Sequence, residues 1–422
     1  MEIHLNDSLV VEMEVPLLKI YEFYFVWRIN CHGVMIISGL LNPNVPCQAE
    51  EFYDSRVNIK RTNSGGTIFC GILTTMEITS VGNMRTVDLE VTTGSCRLDR
   101  TKGSRSFQDI ESTYADTVRS LVETAGGRVI CTAGKEVCLD RPVIKYQETE
   151  WEFVKRLASH LGTYIIADVE VGKPNFWFGI RKGKEILSLP AADYRVYIRW
   201  DEDGSGEKQV IFEVQSQEYH QLGDMARFWE QPVMVHEVQG TYRQGELMFT
   251  YLLSRQKNSK MIYWNRFTGM GLRGTVKEIN GEKVKIALEI DRGISTGNYF
   301  YEWYPETGNG MYAMPEIGAD IYLTFGSVDE REGFVRDCRP MDTEDMLNYH
   351  DRFLTTKEEN AMRLNAAQVS ISRKQNQKFS LSDTFVGLTA SKGLQIRADG
   401  HIKIQAKDIY IKTLDVIKVH QG

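Results

Sequence analysis

Short runs in which apolar and polar residues alternate dominate the chain, and only two stretches follow helical spacing. Over the first hundred residues, the segments 21–27, 34–37, 57–59 and 86–91 are rich in β-branched and aromatic side chains. The turn sequences Asn63-Ser64-Gly65-Gly66 and Val81-Gly82-Asn83 fall between them, so a barrel or sandwich of strands is predicted. Phe107, Ile110, Tyr114, Val118, Leu121 and Val122 then recur at helical spacing. Ser106 with Asp109 three residues on opens this first helix and Gly126-Gly127 closes it. A second helix starts at Thr149 with Glu152 in the capping-box position, turns Trp151, Val154, Leu157 and Leu161 inward, and ends at Gly162. Alternation returns at 164–167, 176–180, 194–200, 210–214 and 233–238, which predicts a second, mainly β module.

From Gly271 a compact unit is predicted. Strands at 275–279 and 283–290 are joined by Asn280-Gly281, with Val284, Ile286, Leu288 and Ile290 on one face and Lys283, Lys285 and Glu289 on the other. Further strands at 321–325 and 334–335 flank the polar turn 328–332, and five or so short strands suit an OB-fold barrel. Residues 341–385 are polar and weakly patterned, as in a connector. The end of the chain alternates again: Leu394 and Ile396, Ile402 and Ile404, Ile409 and Ile411 form three short strand-like repeats broken at 398–400 and 406–408. Six apolar side chains cannot offset the entropy of ordering this tail in one chain, whereas three copies about one axis share an interior. A self-associating β-prism or β-helix is expected, with a C-terminal hairpin packed on the body as the alternative.

The net charge of −7, with no basic tract longer than 372–378, argues against nucleic-acid binding. Seven dispersed cysteines without a CxxC give no disulfide framework or thiolate zinc site, and the acidic opening residues do not resemble a signal peptide. Assembly in the cytoplasm is expected. Gly269 to Gly274 matches GxGxxG but leads into a strand without a βαβ unit, so a glycine-rich linker is the better reading. The acidic loop 201–206 departs from a calcium loop because Phe212 holds the bidentate position, with Glu213 one place late. No HExxH or GxSxG occurs. Among Glu148, Glu150 and Glu152, a carboxylate pair for glycoside hydrolysis is conceivable, but the helix cap accounts for Glu152 and solvent for the other two. Neither catalytic residues nor a cofactor are expected. His420 would be tripled by threefold symmetry, which makes a metal site at the tip geometrically feasible, against a frayed terminus.

Two stretches and the order of parts carry a resemblance. Residues 146–158 followed by Gly162-Thr163-Tyr164 match a Q-x-[ST]-[DE]-x-x-F-[IVL]-x-R-L helix with its Gly-x-Tyr exit, centred on Trp151, Phe153 and Leu157. Residues 314–325, with Pro315, Gly318 and Phe325, match P-x-x-G-x-x-V-x-V-x-F of an OB domain. The chain resembles the baseplate hub and central spike proteins of contractile injection systems: VgrG of type VI secretion and the tail hubs and spikes of contractile phages and tailocins. It departs from VgrG in a compact hub portion and a short tail with one Val-Gly pair, Val386-Gly387.

The resemblance implies a mainly β fold with a small α+β part. Its expected parts are a first hub β-barrel module (1–105), a helical insertion (106–162), a second hub barrel module (163–267), an OB-fold domain (268–340), a connector (341–385) and a triple-stranded β-helix spike (386–422). It also implies a homotrimer that adapts a hexameric inner tube protein to a threefold spike, contacts other baseplate proteins, and carries a tip protein of the proline-alanine-alanine-arginine repeat class. Leu394, Ile396, Ile402, Ile404, Ile409 and Ile411 are the expected spike core. A structural role in a particle ejected through a target envelope follows. The competing readings are a tail-associated cell-wall hydrolase and a glycan-binding adhesin using Trp303, Tyr304 and Tyr312.

Overall fold

The computed structural model describes all residues except 7, 45–47, 63–64, 201–207, 295–296, 306–312, 340–349, 357, 375 and 420–422. The acidic loop 201–206, Tyr312 and His420 therefore lie outside the described residues. Two compact units are present, Met1–Arg339 and Pro340–Gly422.

In the first unit, β1 (Glu2–Asn6), β2 (Leu9–Glu12), β3 (Leu17–Arg28), β4 (Val34–Leu41), β5 (Arg56–Arg61), β6 (Thr67–Val81) and β7 (Met84–Thr92) come from the first hundred residues. Strands β8 (Gly103–Phe107), β9 (Val129–Cys131) and β10 (Val143–Glu148) accompany helices α1 (Tyr114–Thr124) and α2 (Glu150–His160). Next come β11 (Ile165–Ala167), β12 (Phe176–Phe178), β13 (Tyr194–Trp200), β14 (Lys208–Ser216), β15 (Met225–Phe228), β16 (Gln231–Arg243) and β17 (Glu246–Ser254). The two expected modules are not separate. Their strands form one 12-stranded sheet in the order β1-β2-β5-β6-β7-β4-β3-β16-β17-β14-β13, with β15 on β16. Alternation explains the continuity, because Phe23, Phe25 and Trp27 of β3 and Val238 and Tyr242 of β16 turn to one side and share a core with Ile37, Leu89, Phe249 and Val214. The order β6-β7-β4-β3 recurs as β16-β17-β14-β13, each time with the later hairpin placed before the earlier one. The halves are topologically alike.

Two boundaries differ from expectation. The first helix starts at Tyr114, capped by Thr113, while 103–107 is a strand paired with β10. Ser106, read as a helix cap, is buried with its N–H and hydroxyl donated to Asp291 at 2.7 and 2.6 Å, so tertiary bonding overrides the local signal. Strands β11 and β12, expected in the second barrel, instead form a three-stranded sheet with β9. Its core with both helices includes Val118, Val122, Phe153, Leu157 and Phe178.

Five further strands, β18 (Gly271–Asn280), β19 (Lys283–Leu288), β20 (Phe300–Glu302), β21 (Asp320–Thr324) and β22 (Phe334–Arg339), lie in the order β20-β19-β18-β21-β22. A parallel bridge between Trp303 and Val335 joins the outer two, so the five strands close on themselves. The strand begins at Gly271 rather than 275, so four of the six residues of the GxGxxG match are strand: a Cβ at Gly274 would meet the Ala287 carbonyl oxygen at 2.8 Å.

The connector expectation is overturned in the second unit. Strands β23 (Arg352–Thr355), β24 (Asn360–Leu364), β25 (Gln368–Arg373), β26 (Gln377–Ser382) and β27 (Val386–Ala390) make a sequential antiparallel meander. Its polar average composition conceals pairs of apolar residues two positions apart in β24 to β27. After Ala390 no strand is assigned to the described residues of this single chain.

Candidate assembly sites

Helix α2 is fixed at both ends. The Thr149 hydroxyl accepts from Glu152 N–H at 3.1 Å, and the Glu152 carboxylate accepts from Thr149 N–H at 2.9 Å, the reciprocal box expected. At the other end Gly162 sits at φ +64°, and Thr163 N–H bonds the Ala158 carbonyl at 3.0 Å. Trp151, Phe153 and Leu157 are all buried: Trp151 lies on His32 at 4.3 Å, and Phe153 stacks on Phe107 at 5.5 Å. They pack the helix; they face no solvent.

Beneath that helix lies a charge cluster that sequence reasoning missed. Arg156, 1% exposed, donates to both carboxylate oxygens of Glu148 at 2.9 and 2.8 Å, to the Ile144 carbonyl at 2.8 Å, and to Glu330 of the barrel. Glu148 is thus buried and paired, not solvated, and Glu150 accepts from Lys145. Burial raises the pKa of Glu148 against the pull of Arg156; for Arg156, burial is outweighed by Glu330 and Glu148, so its pKa rises. The arginine of the recognised motif was visible in the sequence, but Glu330 belongs to a turn whose polarity suggested solvent.

One catalytic look-alike is present. Ser95 Oγ lies 2.8 Å from His32 Nδ1, and His32 Nε2 lies 3.4 Å from Asp99, which also accepts from the Thr149 hydroxyl. Ser95 is fully buried and its hydroxyl also bonds Thr93 at 2.9 Å, so no substrate reaches it and the group ties β4's entry to α2. Among the described residues no three metal-binding side chains cluster. No described helix is long and apolar enough to cross a membrane.

In the barrel, Pro315 is buried, Gly318 adopts φ +94° with its N–H on the Val276 carbonyl at 2.8 Å, and Phe325 packs on Phe267 at 4.9 Å. The motif therefore makes the turn into β21 and the barrel core. Of the proposed glycan-contacting aromatics, Tyr304 is exposed but meets Phe334 edge-on at 5.0 Å, and Trp303 donates to the Ala313 carbonyl.

The second unit presents the exposed apolar surface. Across the meander, Leu354 faces Met362, Met362 faces Ile371, Ile371 faces Phe379 and Phe379 faces Leu388. A second row links Leu364, Val369, Leu381 and Val386. Both rows lie on one face, and every member is at least 36% exposed in the single chain. The tail residues Leu394, Ile396, Ile402, Ile404, Ile409 and Ile411 are 53–74% exposed.

No protein-family model and no curated protein sequence matches the chain. Among solved structures, the E. coli c3393 protein aligns with 77% of this chain and 98% of its own, at a TM-score of 0.56 and 12% identity. It is described as a type VI secretion component structurally similar to the T4 bacteriophage tail proteins gp27 and gp5. The chain shares the fold of that protein. Weaker likenesses are a prophage MuSo2 43 kDa tail protein from Shewanella oneidensis (TM-score 0.47, 9% identity, 59% of this chain, 98% of that one) and a Neisseria meningitidis tail protein (0.44, 9%, 58% and 96%). The two matched sequence motifs are each spent on packing within this fold.

Proposed function

We infer that the chain is the structural hub and spike of a contractile injection machine, a homotrimer that adapts a hexameric inner tube to a tip protein. The observation that carries this is the one-sided apolar ladder of β23–β27. Contiguous exposed apolar rows of this kind mark an association surface. The alternation continues into the tail at Leu394–Ile411, so the same axis would serve both. Three chains about that axis would pair apolar face with apolar face and complete the strands that the tail lacks alone. No enzymatic step is needed: the Ser95-His32-Asp99 grouping is sealed at its serine, and Glu148 and Glu150 are committed to ion pairs.

The test is the mass of the intact assembly by sedimentation. A species near three times 48.3 kDa is expected. Phe379→Asp and Ile404→Asp should each cost several kcal/mol per chain by burying a charge at the axis, and should shift the protein toward monomer. Undiminished trimers in both variants would show that the second unit is not the trimer core.

A further inference from the structure

The ribbon formed by β8 and β10 is a sheet of only two strands, a form that is marginal by itself in water. Each of its faces belongs to a different core. On one face Phe107 lies opposite Val143, and both join the core of the helices. On the other face Ser106 lies opposite Ile144. Ile144 is fully buried and belongs to the core of the five-stranded barrel, together with Phe267, Val284 and Val335, and Tyr146 packs against that core. Successive strand residues point to opposite faces, so β10 alone divides its side chains between two cores.

The barrel holds the ribbon and α2 with two carboxylates. Asp291, 4% exposed, ends the short turn after β19 and accepts from the N–H and hydroxyl of Ser106 on the barrel-facing side of the ribbon. Glu330, 2% exposed, opens the turn before β22 and accepts from Arg156 of α2. Gly297 of the barrel bridges to Gln108, directly after β8, so closely that a Cβ on Gly297 would meet the Gln108 carbonyl carbon at 2.1 Å. The Arg156 guanidinium also lies over Phe153 of α2 at 5.1 Å and over Phe267 of the barrel core at 5.9 Å. A barrel of about seventy residues has little core to spare. Without the ribbon and α2, Ile144 and Tyr146 would be missing from that core, and Phe267 would lose the cation above it.

We propose that the barrel has no fold of its own: it closes only on the β8–β10 ribbon, and the barrel and the helical module open as one unit. The ribbon is thus a shared wall and not a hinge. The coupling lies within one chain, so it holds whether or not three chains assemble.

Native-state amide hydrogen exchange on the full-length protein, followed through sub-denaturing urea, tests it. The slowest amides of β18, β21 and α2 should open with the same free energy and the same urea dependence. Leu323→Ala, in the barrel core, should speed the α2 amides at least about tenfold, and Leu157→Ala, in the helix core, should do the same to the β18 and β21 amides. If either variant fails to fold, Ile321→Val and Val154→Ala should give the same reciprocal pattern with smaller shifts. A barrel whose amides keep their wild-type rates in the helix-core variant, or an α2 whose amides keep theirs in the barrel-core variant, would overturn the proposal.

Discussion

At the scale of single residues, Arg156 decides most. It is the one cation among two buried carboxylates, and it joins α2 to the barrel through Glu330 and to β10 through Glu148. Removing it leaves two buried charges unpaired, and breaking such a cluster typically costs about 3–5 kcal/mol. Arg156→Met should lower the denaturation midpoint accordingly in urea titrations, with Glu148→Gln recovering part of the loss in the double variant. His160 supplies a pH dependence. Burial first, then Arg156 and Arg331, with Asp329 opposing, lowers its pKa to about 3, and the Tyr114 hydroxyl lies 3.4 Å from its Nδ1. Since the folded pKa lies below the unfolded value, the unfolded chain binds the extra proton between the two. Stability should therefore be full above about pH 6.5 and fall as pH drops toward 3, by up to ~1.4 kcal/mol per pH unit from this group. Thermal unfolding of His160→Gln across that window should show a shallower slope; an unchanged slope would assign the dependence to other groups, such as the similarly buried His236.

At the scale of elements, legibility followed how local the determining interaction is. Helix α2 was readable because its cap, apolar stripe and glycine stop lie within fourteen residues of one another, and each is satisfied there. Thr149→Ala should thus cost about 1 kcal/mol, measured by chemical denaturation, since it deletes the cap and the bond to Asp99 together. Helix α1 was misread at its start, because Ser106 answers to Asp291, distant in sequence. The β18–β19 hairpin was legible from Asn280-Gly281, with Gly281 at φ +59°. The meander was not, since Ser370, Ser372, Ser380 and Ser382 dilute its apolar positions to an average that suggests a linker. Alternation within Val369-Ser370-Ile371 and Phe379-Ser380-Leu381 was the signal available, and it lies in strands whose apolar face stays exposed.

At the scale of the whole molecule, the twofold recurrence of one strand order bears on symmetry. Sequence alternation predicted strands on both sides of the helices, but not that they form one sheet, because register across β3 and β16 is set by residues more than two hundred positions apart. If three chains assemble, the recurrent order is present six times around the axis, while the meander and tail are present three times. A protein so built can face a sixfold ring with one part and a threefold rod with another, which is the adapter role inferred above. The consequence is testable with the full-length protein and tube subunits of the same injection system. Mixed together and viewed by electron cryo-microscopy, they should give short tubes that start from the hub and carry it at one end only, and tube formation should begin at lower subunit concentration than without it. Disrupting the sheet surface, not the tail, should abolish this nucleation, because the tube would rest on the sixfold part. Tubes that assemble equally well in its absence and never bear the chain at an end would show that the repeated sheet serves a different contact.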